Sequence, residues 1–165
     1  MQQAMQWHWR AFDALTTTDL YRILQLRSQV FVLEQAIAYQ DIDDLDLHAI
    51  HVCGFDADAH LVAYARCIPA GLRYPVASLG RVVTAATVRG SGLGHALVRQ
   101  GLACIAAHLG NGAVRISAQS HLQGFYSQHG FVAVGNEYLE EAIWHRAMER
   151  PAPQSVLQQS ALPSA

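Results

Sequence analysis

Arg89-Gly90-Ser91-Gly92-Leu93-Gly94 follows a short apolar run, Val76 to Val83, and leads into an amphipathic stretch reaching Leu109. The order is strand, glycine-rich loop, helix. Three glycines in five positions strip side chains from the backbone, so its N–H groups can close on a bulky anion. The helix aims its unpaired N-terminal amides and positive dipole end at the same place. The stretch therefore predicts a site for a phosphate-bearing ligand. A P-loop would need Gly-Lys-Ser/Thr at its end, and the chain contains no lysine. A dinucleotide fingerprint needs Gly-x-Gly-x-x-Gly and an acid roughly 20 residues later. Neither spacing is present, which leaves Arg-x-x-Gly-x-Gly. A glycine-rich helix start without a ligand is the competing reading of these six residues alone.

Beginning at Val114, Val-Arg-Ile-Ser-Ala-Gln alternates apolar and polar positions as a half-buried strand does. His121-Leu122-Gln123-Gly124-Phe125-Tyr126-Ser127-Gln128-His129-Gly130-Phe131 follows, a short helix stopped by Gly130. The Arg89–Gly94 loop resembles the acetyl-CoA pyrophosphate loop of the GNAT superfamily of N-acyltransferases. Phe-Tyr-x-x-x-Gly-Phe resembles that superfamily's second motif, whose tyrosine stands beside the cofactor sulfur. The Arg27–Gln35 stretch, Tyr39-Gln40-Asp41-Ile42-Asp43, Ser117-Ala118-Gln119 with His121-Leu122-Gln123, and Ile143-x-His145-x-x-Met148 are similar to the ElaA-type branch. The likeness runs from about Gln6 to Arg150.

Strand, helix and hairpin patterns read as an α+β chain. Gln6–Phe12 alternates like a strand, Thr16–Asp19 offers capping oxygens, and a helix is expected from about Leu20 to Glu34. Leu20, Ile23, Leu24 and Phe31 fall at core spacing on it. Arg27 and Glu34 share that face; either the stripe rotates so that both reach solvent, or they are part-buried and need partners, with each other across two turns as one such pairing. His48–Asp56 and His60–Ile68 form a hairpin, Val76–Ala85 continues the sheet, and strands near Phe131–Gly135 and Trp144–Met148 close it. The resemblance implies a GNAT-like, mostly antiparallel central sheet with a splayed parallel pair and flanking helices. Residues 1–150 would form one acyltransferase domain, and the Pro/Gln/Ser-rich 151–165 a disordered tail.

The resemblance also implies acetyl-CoA as cosubstrate. Arg89, Gly90, Ser91, Gly92, Leu93 and Gly94 would hold its pyrophosphate. Backbone groups of Arg81, Val82 and Val83 would hold the pantetheine and face the thioester carbonyl, and Gln119 matches a cofactor-contacting position. Tyr126 would be the general acid. The acceptor would be a primary amine of a small molecule, peptide or protein. No residue is singled out as base: Glu34 comes first, then His145, with His121, Glu140 and Glu141 behind them. Glu34, Asp41 and Asp43 would form an acidic wall that draws a cationic amine, with a solvated loop as the competing reading of the aspartates. A noncatalytic acyl-CoA sensor is the alternative function.

The 52% hydrophobic and 15% charged residues describe a compact domain with a substantial core. A net charge of −2 gives no electrostatic footprint for nucleic acid or an anionic membrane. No apolar run reaches transmembrane length, and no signal-peptide pattern opens the chain. Cys53, Cys67 and Cys104 lack metal-type spacing, which fits a reducing cytoplasm. No metal is expected. The Asp41–Asp46 segment lacks the glycine and glutamate of an EF-hand, and His48 and His51 would point to opposite faces of a strand. The sequence allows a homodimer without requiring one.

Overall fold

The computed structural model describes residues 5–154; the expected tail falls largely outside them. Seven strands form one sheet: β1 (Gln6–Ala11), β2 (Ile50–Phe55), β3 (Leu61–Ile68), β4 (Ala77–Thr84), β5 (Val114–Gln119), β6 (Val132–Glu140) and β7 (Ile143–Arg150). Their spatial order is β1-β2-β3-β4-β5-β7-β6. Every neighbouring pair is antiparallel except β4 and β5. That pair is joined by the crossover helix α2 (Leu93–His108), as a parallel connection requires. The α+β, mostly antiparallel expectation holds. The two closing strands are longer than their apolar pattern suggested, because much of β6 lies exposed at the sheet edge.

α2 buries Leu93, Leu97, Val98, Gly101, Cys104 and Ile105 against the sheet. Gly101 permits the close approach: a Cβ there would lie 2.6 Å from Leu79 Cδ1. All three cysteines are buried free thiols.

Helix α1 (Thr17–Arg27) begins three residues before the expected start. Thr16 and Asp19 form a reciprocal capping box, with the Thr16 hydroxyl accepting from Asp19 N and the Asp19 carboxylate from Thr16 N. Such a cap contributes about 1 kcal/mol. The core face carries Ile23, Leu26 and Val30, with Leu24 and Phe31 half-buried. From Ser28 to Glu34 the helix widens into π-helical turns, with Gln35 N donating to Val30 O and Ile37 N to Val32 O. The wider turn breaks the seven-residue spacing that would put Arg27 and Glu34 on one face. Arg27 turns inward to full burial, Glu34 turns outward, and they do not pair. The short helix α3 (Gln123–Ser127) follows β5.

The β2–β3 hairpin turn places Asp56, Asp58 and His60 together at the surface. Asp56 Oδ1 accepts the N–H groups of Asp58 and His60, so the carboxylate builds the turn.

Candidate active site

β4 and β5 pair only at Ala77–Val114 and Ser78–Arg115 and then part. Beyond Ser78 a cleft of about 890 Å³ opens between them. Its walls include Gly80 to Thr84 of β4, Ser117 and Gln119 of β5, the α2 start at Gly94, and Phe125 and Tyr126 of α3. The expected site residues Arg81, Val82, Val83, Glu34, Arg89, Gln119, Tyr126 and His145 all line it.

The loop before α2 has the expected form. Gly90 and Gly92 take left-handed φ values of +78° and +83°. Space is open where a Cβ would stand at either, so a ligand can reach the backbone closely. Gly92 is the N-cap and supplies no side chain, so the helix start has no side-chain cap. Ser91 Oγ donates to Val88 O at 2.6 Å, which fixes the loop. Arg89 turns to Glu34 in a two-bond pair of 2.6 and 3.0 Å, tying the π-helical segment to the loop. Those bonds, with the attraction of the guanidinium, hold the Glu34 carboxyl below its ordinary range. A carboxylate so engaged is a weak proton acceptor.

Tyr126 is 7% exposed at the cleft wall, packed edge-on against Phe125 and Phe131. Burial raises its phenol pKa well above the usual value, so the hydroxyl keeps its proton at neutral pH. Phe125 also touches the position where Gly94 would carry a Cβ, at 3.5 Å, which seats α3 on the loop end of α2. Gln119 Nε2 donates to Gln35 Oε1 at 3.3 Å across the cleft.

At the other wall, His145 stands opposite Gln119 in the β5–β7 register. Its Nδ1 lies 2.9 Å from Ile143 O, and a carbonyl can only accept, so Nδ1 carries a proton. In the neutral ring Nε2 then keeps its lone pair. Ser117 bonds to Tyr138 Oη and donates to Glu140 Oε2 at 3.0 Å. Arg73 approaches Glu140 at 3.4 Å. Glu141 and His121 sit exposed at the rim. The sequence marks Ser117 only through the branch resemblance and Tyr138 not at all, because their contact joins residues 21 apart on different strands; the alternation of β5, which puts Ser117 on the face of Gln119, is the available signal.

The acidic segment is neither a solvated loop nor a free acidic wall. Asp41 is 6% exposed and does not line the cleft. Its Oδ2 accepts from Arg27 Nε at 2.8 Å, and its Oδ1 from Arg81 Nε at 2.6 Å and Tyr39 at 3.1 Å. Asp43 reaches the cleft, but both its oxygens accept from Arg66, at 2.5 and 2.8 Å. Asp46 accepts from Arg27 and Arg66. Burial raises the carboxyls of Asp43 and Asp46, yet the guanidinium bonds outweigh it and leave both below the ordinary value. Three arginines thus neutralise three aspartates, because buried charge of either sign persists only when paired.

The description "Acetyltransferase (GNAT) domain" belongs to the family model that matches residues 26–151. The chain belongs to the GNAT acetyltransferase family. A UPF0039 protein of Synechocystis sp. is 40% identical over 87% of this chain and 94% of its own length. An acyl-CoA N-acyltransferase from Pseudomonas aeruginosa superposes with a TM-score of 0.85 at 39% identity, covering 89% of this chain and 99% of that one. Escherichia coli ElaA superposes at 0.83 with 36% identity and the same coverage. The mixed seven-stranded sheet with its one parallel pair is shared with these structures.

Proposed function

We propose that this GNAT protein is an acetyl-CoA-dependent N-acetyltransferase that acts on a primary amine by direct transfer. The observation that carries the proposal is the gap between β4 and β5, whose walls include both the α2 start at Gly94 and Tyr126. The residues present fit the cosubstrate. Gly90 and Gly92 offer open backbone to a pyrophosphate, and the freed edge of β4 offers amides to an extended pantetheine arm. Bound acetyl-CoA supplies an activated acetyl thioester.

The chain's own groups then divide the work. Backbone amides near Arg81, Val82 and Val83 are fixed dipoles placed to meet the charge that develops on the thioester oxygen. Tyr126, kept protonated by burial, donates its proton to the departing thiolate. His145 Nε2 takes the proton of the attacking amine, directly or through water. This assignment places His145 ahead of Glu34, whose oxygens are both held by Arg89. The buried free thiols agree with a reducing, cytoplasmic setting.

Release of CoA thiol, measured across a panel of small amines, amino-terminal peptides and lysine peptides, tests the proposal. Turnover above the amine-free rate with at least one acceptor is expected. Acetyl-CoA binding with no turnover on any of them would favour a noncatalytic sensor.

A further inference from the structure

β4 carries an irregularity where it leaves β5. Tyr64 pairs with Val83 and Arg66 with Gly80, so Ala65 of β3 faces two residues of β4, Arg81 and Val82. This is a β-bulge, and Arg81 takes a left-handed φ of +51°. Glycine would enter that conformation freely, whereas an L side chain pays about 1–2 kcal/mol. Something must therefore hold Arg81 there.

The side chain does so. Arg81 Nε donates to Asp41 Oδ1 at 2.6 Å and Nη2 to Asp41 O at 3.2 Å. Its guanidinium lies 6.0 Å from the Phe31 ring centre and 5.9 Å from that of Tyr39. Asp41 is itself immobilised: fully buried Arg27 bonds both its carboxylate and its carbonyl, at 2.8 and 2.9 Å. The segment from Tyr39 to Asp41 is thus anchored to α1 on one side and grips the bulge on the other. Charge-assisted bonds of this kind, out of solvent and doubly anchored, are strong enough to repay a left-handed residue.

We infer that Asp41 is a positioning residue: by holding the Arg81 side chain it sets the β4 bulge, and with it the direction of the backbone amides that face the acyl group. The inference rests on the acyl-transfer reading for its kinetic consequence but not for its conformational one. It also explains why the bulge bears arginine. The guanidinium makes a strained backbone conformation depend on an acid 40 residues away in the chain, in the loop that follows the π-helical segment.

Asp41→Asn is the test. An amide can accept with only one of its two groups, so it turns an N–H toward either Arg27 or Arg81. The three-bond HN–Hα coupling and Cα shift of Arg81, read by NMR, report the sign of φ without any activity. They are expected to lose the left-handed signature in Asp41→Asn. In the kinetic arm, kcat falls by about fivefold or more, the equivalent of about 1 kcal/mol, while calorimetric affinity for CoA stays within about twofold. Arg81→Gly, which restores φ freedom, is expected to exceed Arg81→Ala in kcat by a similar factor. It leaves the buried Arg27–Asp41 pair untouched should Asp41→Asn fail to fold. In the Arg81→Gly background, Asp41→Asn should cost little more. An Arg81 that keeps its left-handed signature in Asp41→Asn, or an equal loss from Asp41→Asn in both backgrounds, overturns the inference. So does an Arg81→Gly that is no better than Arg81→Ala. Absence of turnover in the wild type would defeat the transfer reading alone, since the NMR arm still decides the conformational claim.

Discussion

Gly92→Ala separates ligand approach from backbone strain. Gly92 caps α2 at φ +83°, and an added methyl would meet no protein atom within 4 Å. Its effect on the free protein is therefore conformational, about 1 kcal/mol for an L residue in left-handed space. For a domain of this size that lowers Tm by about 2–4 °C. Gly110, at the far end of the same helix, provides the control: its φ is +98° and its Cβ position is equally open. Gly110→Ala should lose a similar Tm and bind CoA normally. Gly92→Ala should lose at least about tenfold in CoA affinity, 1.4 kcal/mol, because its methyl fills space that a pyrophosphate needs. Calorimetric titration of both folded variants with CoA is the assay. Equal affinities for the two would refute the reasoning that the Gly90–Gly94 loop receives the phosphates.

Tyr126→Phe should keep CoA affinity while lowering kcat by about 10²-fold or less, since a thiolate leaves fairly well unaided; an unchanged kcat would reduce Tyr126 to packing. Because burial raises the phenol pKa, wild-type kcat should not fall on the alkaline side below about pH 10 through loss of this proton. His145→Gln should lower kcat/KM while CoA affinity stays within about twofold; an unchanged kcat/KM would assign the base elsewhere. His51 is buried between Tyr64 and Asp46 O, and burial, reinforced by Arg27 and Arg66, outweighs the attraction of Asp46 and lowers its pKa. The unfolded chain then gains this proton first as pH falls, so stability should drop below about pH 6.5 by at most about 1.4 kcal/mol per unit, and His51→Gln should lessen that slope in urea melts. Asp43 and Asp46, with lowered pKa, contribute stability that is present above about pH 3.9 and lost as pH falls further.

What the sequence disclosed depends on how local the determining chemistry is. The Arg89–Gly94 loop, the α2 face, the Thr16 cap and the β2–β3 hairpin are decided within a few residues, and they were legible to within a turn. The parted strands and the place of Tyr126 at the cleft came through resemblance, because no spacing in one chain reports where two strands stop pairing. The aspartate segment was misread for the same reason. Its partners Arg27, Arg66 and Arg81 lie on three separate elements, and only the folded sheet brings them to it. The π-helical widening after Arg27 likewise has no compositional mark, yet it decides that Arg27 faces the core and Glu34 faces the loop. The left-handed Arg81 is invisible in a strand pattern, since a bulge is a property of two paired strands.

Direct transfer of an acyl group from CoA to an amine within the β4–β5 cleft is what the proposed function requires. A single-turnover experiment with acetyl-labelled acetyl-CoA, excess enzyme and an acceptor from the amine panel tests it most directly, by following where the label goes. Label is expected to leave the thioester and appear on the amine at one rate, with none retained on the protein, and Tyr126→Phe should slow both together. Label that stays in the thioester throughout, or that accumulates on the protein before reaching the amine, would contradict it.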